Sequence, residues 1–134
     1  MSPVALVVGV AILHAGRVLA ARRSYPAEAR GRWEFPGGKV HDDETPDEAV
    51  VREVAEELGC TIAVIGWLPP EVPIRDGLVL RVATAALTDH EPIPRHGEHD
   101  AVRWLRPDEL DDLDWLEADR PFTGAVRKRL GAQN

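Results

Sequence analysis

The sequence predicts an α/β or α+β fold in which a mixed β-sheet packs against helices. Strand-like apolar segments outnumber helical ones along the 134 residues. One helical segment lies between strands and a second closes the chain, an order typical of layered sheet-and-helix domains. The composition, 44% hydrophobic and 29% charged, suits a globular chain with one hydrophobic core. We therefore expect a single domain over residues 1–134.

The N-terminal segments predict strands. Residues 4–13 are rich in valine and indicate a buried strand, and residues 17–22 return as a second strand after a His-Ala-Gly turn. Residues 24–32 are polar, contain Pro and Gly, and predict a loop. Residues 33–35 alternate as a short strand, which we expect to stop at the following Pro-Gly-Gly.

The helix after residue 45 has the clearest boundaries. Thr45 can cap it, Pro46 suits the first helical position, and Glu48 completes a capping box. Gly59 predicts its end. Helical spacing predicts one apolar, buried face, formed by Val50, Val51, Val54, Ala55 and Leu58.

The second half of the chain predicts strands, turns and a final helix. In order, we expect a strand over 61–67 that ends before Pro69-Pro70, a turn at 75–77, a long strand over 78–87, a loop over 91–100, a short strand over 102–105, a helical turn over 107–110 and a helix from about 120 to 130. The final helix is expected to bury Phe122, Val126 and Leu130.

Charge and hydropathy restrict the possible partners. The net charge is −7, which argues against a nucleic-acid polymer as partner. No apolar run approaches the roughly 20 residues of a membrane span, and the N-terminal residues lack a signal-peptide pattern. We therefore expect a cytoplasmic protein without a membrane partner. The single cysteine, Cys60, excludes an internal disulfide.

Three glutamates on the predicted first helix indicate a metal site. Glu53, Glu56 and Glu57 stand at i, i+3 and i+4, so their carboxylates lie on one side. Like charges at this spacing destabilise a helix by roughly 0.2–0.5 kcal/mol per pair, which solvent or a cation must relieve. Carboxylate oxygens suit Mg²⁺ or Mn²⁺. The alternative is a solvated acidic face. Arg52, among them, could pair with Glu48 or orient one of the carboxylates.

The spacing around these glutamates resembles a known signature. Gly38 is followed after five residues by Glu44 and after seven more by the run Arg-Glu-Val-Ala-Glu-Glu-Leu-Gly over 52–59. This pattern resembles the signature of the Nudix hydrolases at every fixed polar and glycine position. Cys60 departs from it, since the family usually has a bulky aliphatic residue there. Residues 4–10, 22–23, 33–39 and 98–104 look like the MutT branch, the small nucleoside triphosphate pyrophosphohydrolases.

The resemblance implies the Nudix fold, a mixed sheet between helices, and a set of site residues. It places Mg²⁺, or Mn²⁺, on Glu53, Glu56 and Glu57, helped by the Gly37 carbonyl and Glu98. The catalytic set is Glu53, Glu98 and Arg52, with Glu53 and Glu98 as alternative general bases; the other reading of Glu98 is a solvated loop carboxylate. The substrate-binding set is Arg23 (on a phosphate), Glu34, Phe35, Gly37, Gly38, Lys39 and Asp119. His96 and His99 could suggest a second metal site, but two histidines alone favour an ordinary loop.

Asp119 carries the expectation about the nucleobase. Similar enzymes place an amide or an acid here, and an asparagine offers both donor and acceptor, which suits 8-oxoguanine. An ionised aspartate only accepts, which suits the exocyclic amine of cytosine. The alternative reading of Asp119 is a helix N-cap.

We therefore expect hydrolysis of (d)CTP or 5-substituted cytosine nucleotides to monophosphate and pyrophosphate. The first alternative is 8-oxo-dGTP. ADP-ribose is less expected, because Arg75 and Asp76 stand where such enzymes carry a diagnostic proline or tyrosine. A non-catalytic nucleotide sensor is disfavoured by the complete set of glutamates. Monomer and homodimer are both compatible with the sequence.

Overall fold

The computed structural model describes residues 5–89, 91–94 and 97–132. Within them, seven strands form one sheet. The strands are β1 (Ala5–His14), β2 (Arg17–Arg23), β3 (Trp33–Glu34), β4 (Gly37–Lys39), β5 (Ile62–Arg75), β6 (Leu78–Leu87) and β7 (His99–Leu105), and the helices are α1 (Pro46–Leu58) and α2 (Thr123–Ala132). Two 3₁₀ turns cover Pro107–Asp112 and Arg120–Phe122. None of the helices in these ranges is long and apolar enough to cross a membrane.

The sheet is mixed, as predicted. Its main path runs β3-β2-β1-β6-β5, with β4 paired to β1 and β7 paired to β2. The β1–β6 pairing is parallel and the other strand pairings are antiparallel. Strand β1 is therefore central, and both of its faces are covered.

Two apolar clusters cover the two faces of the sheet. On one face α1 packs through Val50, Val54 and Leu58. On the other, α2 packs through Val126 and Leu130, and Phe122 of the preceding 3₁₀ turn belongs to the same cluster; all three are fully buried, as predicted. Alternate residues of β1 belong to opposite clusters, which explains its continuous apolar run. The sheet thus lies between helices.

Helix α1 forms as its boundary residues predict. The Thr45 side chain accepts from the Glu48 N–H at 3.1 Å, and the Glu48 carboxylate accepts from the Thr45 N–H at 2.8 Å. Gly59 ends the helix with φ of +66°. The predicted apolar face is wrong at one position, because Ala55 is exposed and Ala49 is buried instead.

Strand β5 is longer than predicted. It continues through Pro69-Pro70 to Arg75, because it lies at the edge of the sheet and pairs only with β6. Proline has no N–H to donate, and an edge strand tolerates it on the outer side. The pairing register shifts between Leu68 and Val72, around these prolines.

Strand β4 replaces the stop expected at residues 36–38. Gly37 pairs with Gly9 of β1, and Gly38 pairs with Val8. A Cβ atom at position 37 would collide with the carbonyl oxygen of Val8, so the close approach of the two strands requires glycine. Strand β7 begins at His99, earlier than predicted, so Glu98 lies where the preceding turn meets the sheet.

Candidate active site

The predicted substrate residues surround a cavity of about 580 Å³. Six of the seven line it, namely Arg23, Glu34, Phe35, Gly37, Gly38 and Asp119. Lys39 does not line it; its carbonyl oxygen instead accepts from Arg52 at 3.1 Å. The rest of the cavity wall was not predicted from the sequence and includes Glu28, Arg32, Ile74, Leu80, Leu116 and Ala118. No single motif marks these residues, because they come from loops and strands that are distant in the chain.

Glu57 is the buried member of the glutamate cluster. Burial is the main cause that raises its pKa from 4.5 to about 10, followed by a hydrogen bond with Glu98 and by the charges of Glu98, Glu53 and Glu34. Its Oε2 atom has no hydrogen-bond partner among the described residues. Ligand atoms of Glu57, Glu98 and His99 lie within 4.8 Å of one another. The structure therefore brings Glu57 and Glu98 together, as the resemblance implies.

Glu56 differs from Glu57, because its side chain is 56% exposed. It accepts from Arg52 Nη1 at 3.2 Å and lies outside the Glu57–Glu98–His99 group. The adjacent glutamates therefore differ, with the Glu57 carboxylate buried and the Glu56 carboxylate facing solvent.

Arg52 organises the carboxylates beside it. It donates from Nε and Nη2 to both oxygens of Glu44, at 3.0 and 2.7 Å, and from Nη1 to Glu53 at 2.9 Å. The Arg52 hydrogen bonds are the main cause that lowers the pKa of Glu44 to about 2, and Glu44 in turn raises the pKa of Arg52. The expected alternative pairing with Glu48 does not form, since Glu48 caps the helix.

Gly38 connects the glutamates with the cavity. It lines the cavity, and a Cβ atom at this position would lie 2.5 Å from Glu53 Oε1. The Glu53 carboxylate therefore occupies the space that a side chain at position 38 would need. Glu53 is held from one side by Arg52 and lies against the β4 backbone on the other.

Arg23 and Glu34 form an ion pair at the cavity wall. Arg23 Nη1 donates to Glu34 Oε2 at 3.2 Å, and its Nε donates to the carbonyl of Tyr25 at 3.1 Å. His99 Nε2 lies 2.7 Å from the same Glu34 oxygen. His99 was predicted to lie in an ordinary loop and instead begins β7 with a buried ring; His96 lies outside the described residues.

Asp119 is buried in the cavity wall and stands at the N-cap position of the 3₁₀ turn Arg120–Phe122, as the N-cap interpretation placed it. Its side chain makes no capping hydrogen bond, because Oδ1 instead accepts from the Phe35 N–H at 3.1 Å. Burial, then the Glu34 charge, raises the pKa of Asp119 from 3.8 to about 8, although the Phe35 N–H opposes this. Burial therefore favours the protonated form of Asp119 more than in an ordinary aspartate, and in that form the carboxyl group can donate as well as accept.

The sequence matches a known family and several known proteins. A family model described as the NUDIX domain matches residues 3–126. A Mycobacterium tuberculosis (strain H37Rv) protein, provisionally named 8-oxo-dGTP diphosphatase 2, is 38% identical over 128 residues, covering 93% of this chain and 89% of that protein. The chain belongs to the Nudix family. The CTP pyrophosphohydrolase of Escherichia coli K12 is 32% identical over 119 residues, covering 89% and 88% of the two chains.

Solved structures confirm the Nudix fold. The solution structure of the Escherichia coli ORF135 protein matches with a TM-score of 0.80 and 31% identity, covering 98% of this chain and 94% of that one. A MutT Nudix hydrolase from Burkholderia pseudomallei matches with a TM-score of 0.75 and 31% identity, covering 92% and 98%. The chain is therefore a Nudix hydrolase, an enzyme with pyrophosphohydrolase activity.

Nudix hydrolases generally use a divalent metal ion, and the residues of this Nudix site fit one. The unpartnered Glu57 Oε2 is a buried oxygen that a cation would satisfy. Burial, and then the surrounding acidic groups, favour the protonated form of Glu57 when no metal is bound, and a cation would reverse that preference. The donors are carboxylate oxygens, which suit a hard dication. This Nudix hydrolase thus carries a preformed acidic site beside a substrate-sized cavity.

Proposed function

We propose that this Nudix hydrolase converts nucleoside triphosphates to the monophosphate and pyrophosphate with Mg²⁺, and that cytosine nucleotides are its first substrate class. The observation that carries the substrate class is the position of Asp119 in the cavity wall, with Oδ1 fixed by the Phe35 N–H. The proposal includes a cytoplasmic enzyme, either monomeric or homodimeric, that acts on small nucleotides.

The metal would be held by Glu53, Glu57 and Glu98, with Glu56 and the Gly37 carbonyl as further ligands. When bound, Mg²⁺ neutralises phosphate charge and lowers the pKa of a water molecule. Arg52 holds Glu53 in place by the 2.9 Å hydrogen bond and thereby keeps the ligand set oriented.

Glu98 accepts the proton of the attacking water in this proposal. Glu53 is the alternative base, but its Oε1 atom already accepts from Arg52. Glu98 comes from a separate turn and is anchored through its backbone, since its carbonyl accepts from the Ser24 N–H at 2.9 Å. The water oxygen bonds to the β-phosphorus, and the bond between the β-phosphorus and the α–β bridging oxygen breaks. The nucleoside monophosphate leaves with that bridging oxygen, and the β- and γ-phosphates form pyrophosphate. Arg23 binds the phosphate chain through its planar guanidinium.

The nucleobase lies in the part of the cavity that contains Asp119. Apolar side chains, including Phe35, Leu80 and Ala118, offer contact area to a flat ring. Cytosine carries an exocyclic amine, and a carboxyl oxygen can accept from that amine in either protonation state. Cytosine recognition therefore does not depend on whether Asp119 is ionised. The name of the Escherichia coli relative, CTP pyrophosphohydrolase, supports the same substrate class.

The raised pKa of Asp119 favours 8-oxo-dGTP as a second candidate. A protonated Asp119 both donates and accepts, as an asparagine does, and guanine-type bases present the acceptor O6. The provisional name of the Mycobacterium tuberculosis relative also supports this candidate.

A substrate panel tests the proposal. Pyrophosphate release with Mg²⁺ is measured for dCTP, CTP, 5-methyl-dCTP, 8-oxo-dGTP, dGTP and ADP-ribose, with Glu57→Gln as the inactive control. We expect the highest kcat/KM for a cytosine nucleotide. A higher kcat/KM for 8-oxo-dGTP would select the second candidate. Tight nucleotide binding without turnover of any compound would contradict catalysis and indicate a sensor.

Asp119→Asn separates the two readings of the base site. This variant keeps an acceptor and adds a permanent donor, so we expect the 8-oxo-dGTP to dCTP ratio of kcat/KM to rise. An unchanged preference among bases would show that Asp119 does not select the base.

A further inference from the structure

The β2–β7 pairing contains an irregularity between Arg22 and Arg23, and Arg23 lines the cavity. Arg22 pairs with Ala101, whereas Arg23 pairs with His99, so the register passes over Asp100. Irregularities of this kind change the direction in which side chains point, and they are common next to active sites. Asp100 consequently faces solvent and pairs with Arg22 at 2.6 Å. His99 faces inward, and its side chain is fully buried.

The inward ring contacts an ion pair of the site. His99 Nε2 lies 2.7 Å from Glu34 Oε2, and Arg23 Nη1 lies 3.2 Å from the same oxygen. A carboxylate can only accept, so the Nε2 atom carries the hydrogen and donates it. One carboxylate oxygen therefore joins a histidine of β7 to an arginine of β2.

These hydrogen bonds fix the Glu34 carboxylate and the Arg23 guanidinium, which could otherwise adopt several orientations. Glu34 belongs to a strand of only two residues, and Arg23 has a long, flexible stem. Two donors on one Glu34 oxygen restrict the rotation of the carboxylate, and the carboxylate in turn directs the guanidinium of Arg23. The ring of His99 does not line the cavity, whereas Glu34 and Arg23 do, so its hydrogen bond reaches the cavity wall through these two residues.

We propose that His99 is a positioning residue, which holds Glu34 so that Arg23 meets the substrate phosphate in one fixed orientation. The inference rests on the phosphate-binding role of Arg23 given under the proposed function. It gives a role to the buried His99, which has none in the proposed metal binding or base recognition.

Two substitutions with opposite predictions test the proposal. His99→Gln places an amide N–H near the position of Nε2 and should retain the hydrogen bond to Glu34, with KM for dCTP within about twofold of wild type. His99→Asn is too short and reaches only as far as Nδ1. We expect it to raise KM about tenfold, the size expected for the loss of one hydrogen bond to a charged group, with a smaller change in kcat.

Two controls separate positioning from a general structural effect. Asp100→Ala alters the neighbouring exposed residue and should leave KM unchanged. The double variant His99→Asn/Glu34→Gln should have a KM no higher than that of the worse single variant, because both changes disrupt the same contact. Circular dichroism melting of each variant identifies any that are unfolded, and His99→Gln tests the contact even if the asparagine variant fails to fold.

Three outcomes would overturn the inference. One is equal KM values for the asparagine, glutamine and wild-type proteins. Another is a KM for the double variant that equals the product of the two single effects. The third is a fall in Mn²⁺ affinity of the nucleotide-free asparagine variant with KM unchanged, which would indicate that the ring ligates metal directly. An inactive wild type would instead contradict the proposed function, so the two failures are distinguishable.

Discussion

Arg52 binds both carboxylate oxygens of Glu44, with Nε to Oε2 at 3.0 Å and Nη2 to Oε1 at 2.7 Å. The remaining terminal nitrogen, Nη1, reaches Glu53 at 2.9 Å. A residue eight positions earlier in the chain thus fixes the arginine, and the arginine fixes a proposed metal ligand. Glu44 is therefore part of the site although it does not line the cavity.

Arg52→Lys should weaken metal binding and activity, although the positive charge is kept. A lysine ammonium cannot bind Glu44 with two parallel hydrogen bonds and reach Glu53 at the same time. We expect about a 10–100-fold fall in kcat/KM, together with a higher Mg²⁺ concentration for half-activation. Arg127→Lys is the matched control. Arg127 lies on α2 and its Nη2 is 2.9 Å from Asp111 Oδ1, away from the candidate site. Equal kinetics for the two variants would contradict this role of Arg52.

Gly38→Ala should impair activity more than stability. The added Cβ would lie 2.5 Å from Glu53 Oε1, so the carboxylate must move away from its position against β4. We expect at least a tenfold loss of kcat/KM, measured by pyrophosphate release, because oriented metal ligands tolerate little displacement. Gly124→Ala, where a Cβ meets nothing within 4 Å, should keep full activity. A Gly38→Ala protein with normal kinetics would show that Glu53 is not fixed by this contact.

The fold was predictable where local signals and burial agree. The capping box of α1 and the two-sided burial of β1 left a clear pattern in the sequence. The course of β5 did not, because Pro69-Pro70 normally ends a strand and is tolerated here only at a sheet edge. The strand at Gly37 was not predictable for a similar reason. Glycine is usually a turn residue, but here it lies in a strand because only its small size allows the close approach to Val8.

Most of the predicted substrate residues lie around one cavity, but the environment of each site residue was not predictable from the sequence. Helical spacing placed Glu56 and Glu57 together, yet only tertiary packing decides that Glu57 is buried and Glu56 is exposed. The raised pKa of Asp119 likewise follows from its burial, which the sequence alone does not reveal. His99 carried no local signal, because the register shift that turns it inward depends on a partner strand.

The metal-free protein should lose stability as the pH rises. The folded-state pKa of Glu57, about 10, lies above its ordinary value of 4.5, so the folded protein keeps a proton that the unfolded chain releases. The free energy of unfolding should therefore fall between about pH 4.5 and pH 10, by at most about 1.4 kcal/mol per pH unit for this group. Asp119 contributes in the same direction up to about pH 8.

Urea unfolding at pH 5, 7 and 9 in the presence of a chelator measures this dependence. Glu57→Gln removes this titrating carboxyl group. The free energy of unfolding of this variant should depend on pH less than that of the wild type, with the remaining dependence due to Asp119. Added Mg²⁺ should stabilise the wild type more at pH 9 than at pH 5, because it binds the ionised carboxylates. A wild-type stability that rises with pH under metal-free conditions would contradict the buried, protonated state of Glu57.

The relative use of the two candidate substrates should depend on pH through Asp119. Below its pKa of about 8 the carboxyl group donates as well as accepts, and above it the carboxylate only accepts. Loss of the donor should weaken recognition of the O6 acceptor of 8-oxo-dGTP, whereas the amine of cytosine needs only an acceptor. The ratio of kcat/KM for 8-oxo-dGTP to that for dCTP should therefore fall as the pH rises from 6.5 to 9.5. Taking the ratio cancels pH effects on the shared phosphate chemistry, and Asp119→Asn, which does not titrate, should give a flat ratio. A wild-type ratio that is also flat would mean that Asp119 keeps one protonation state or does not contact the base.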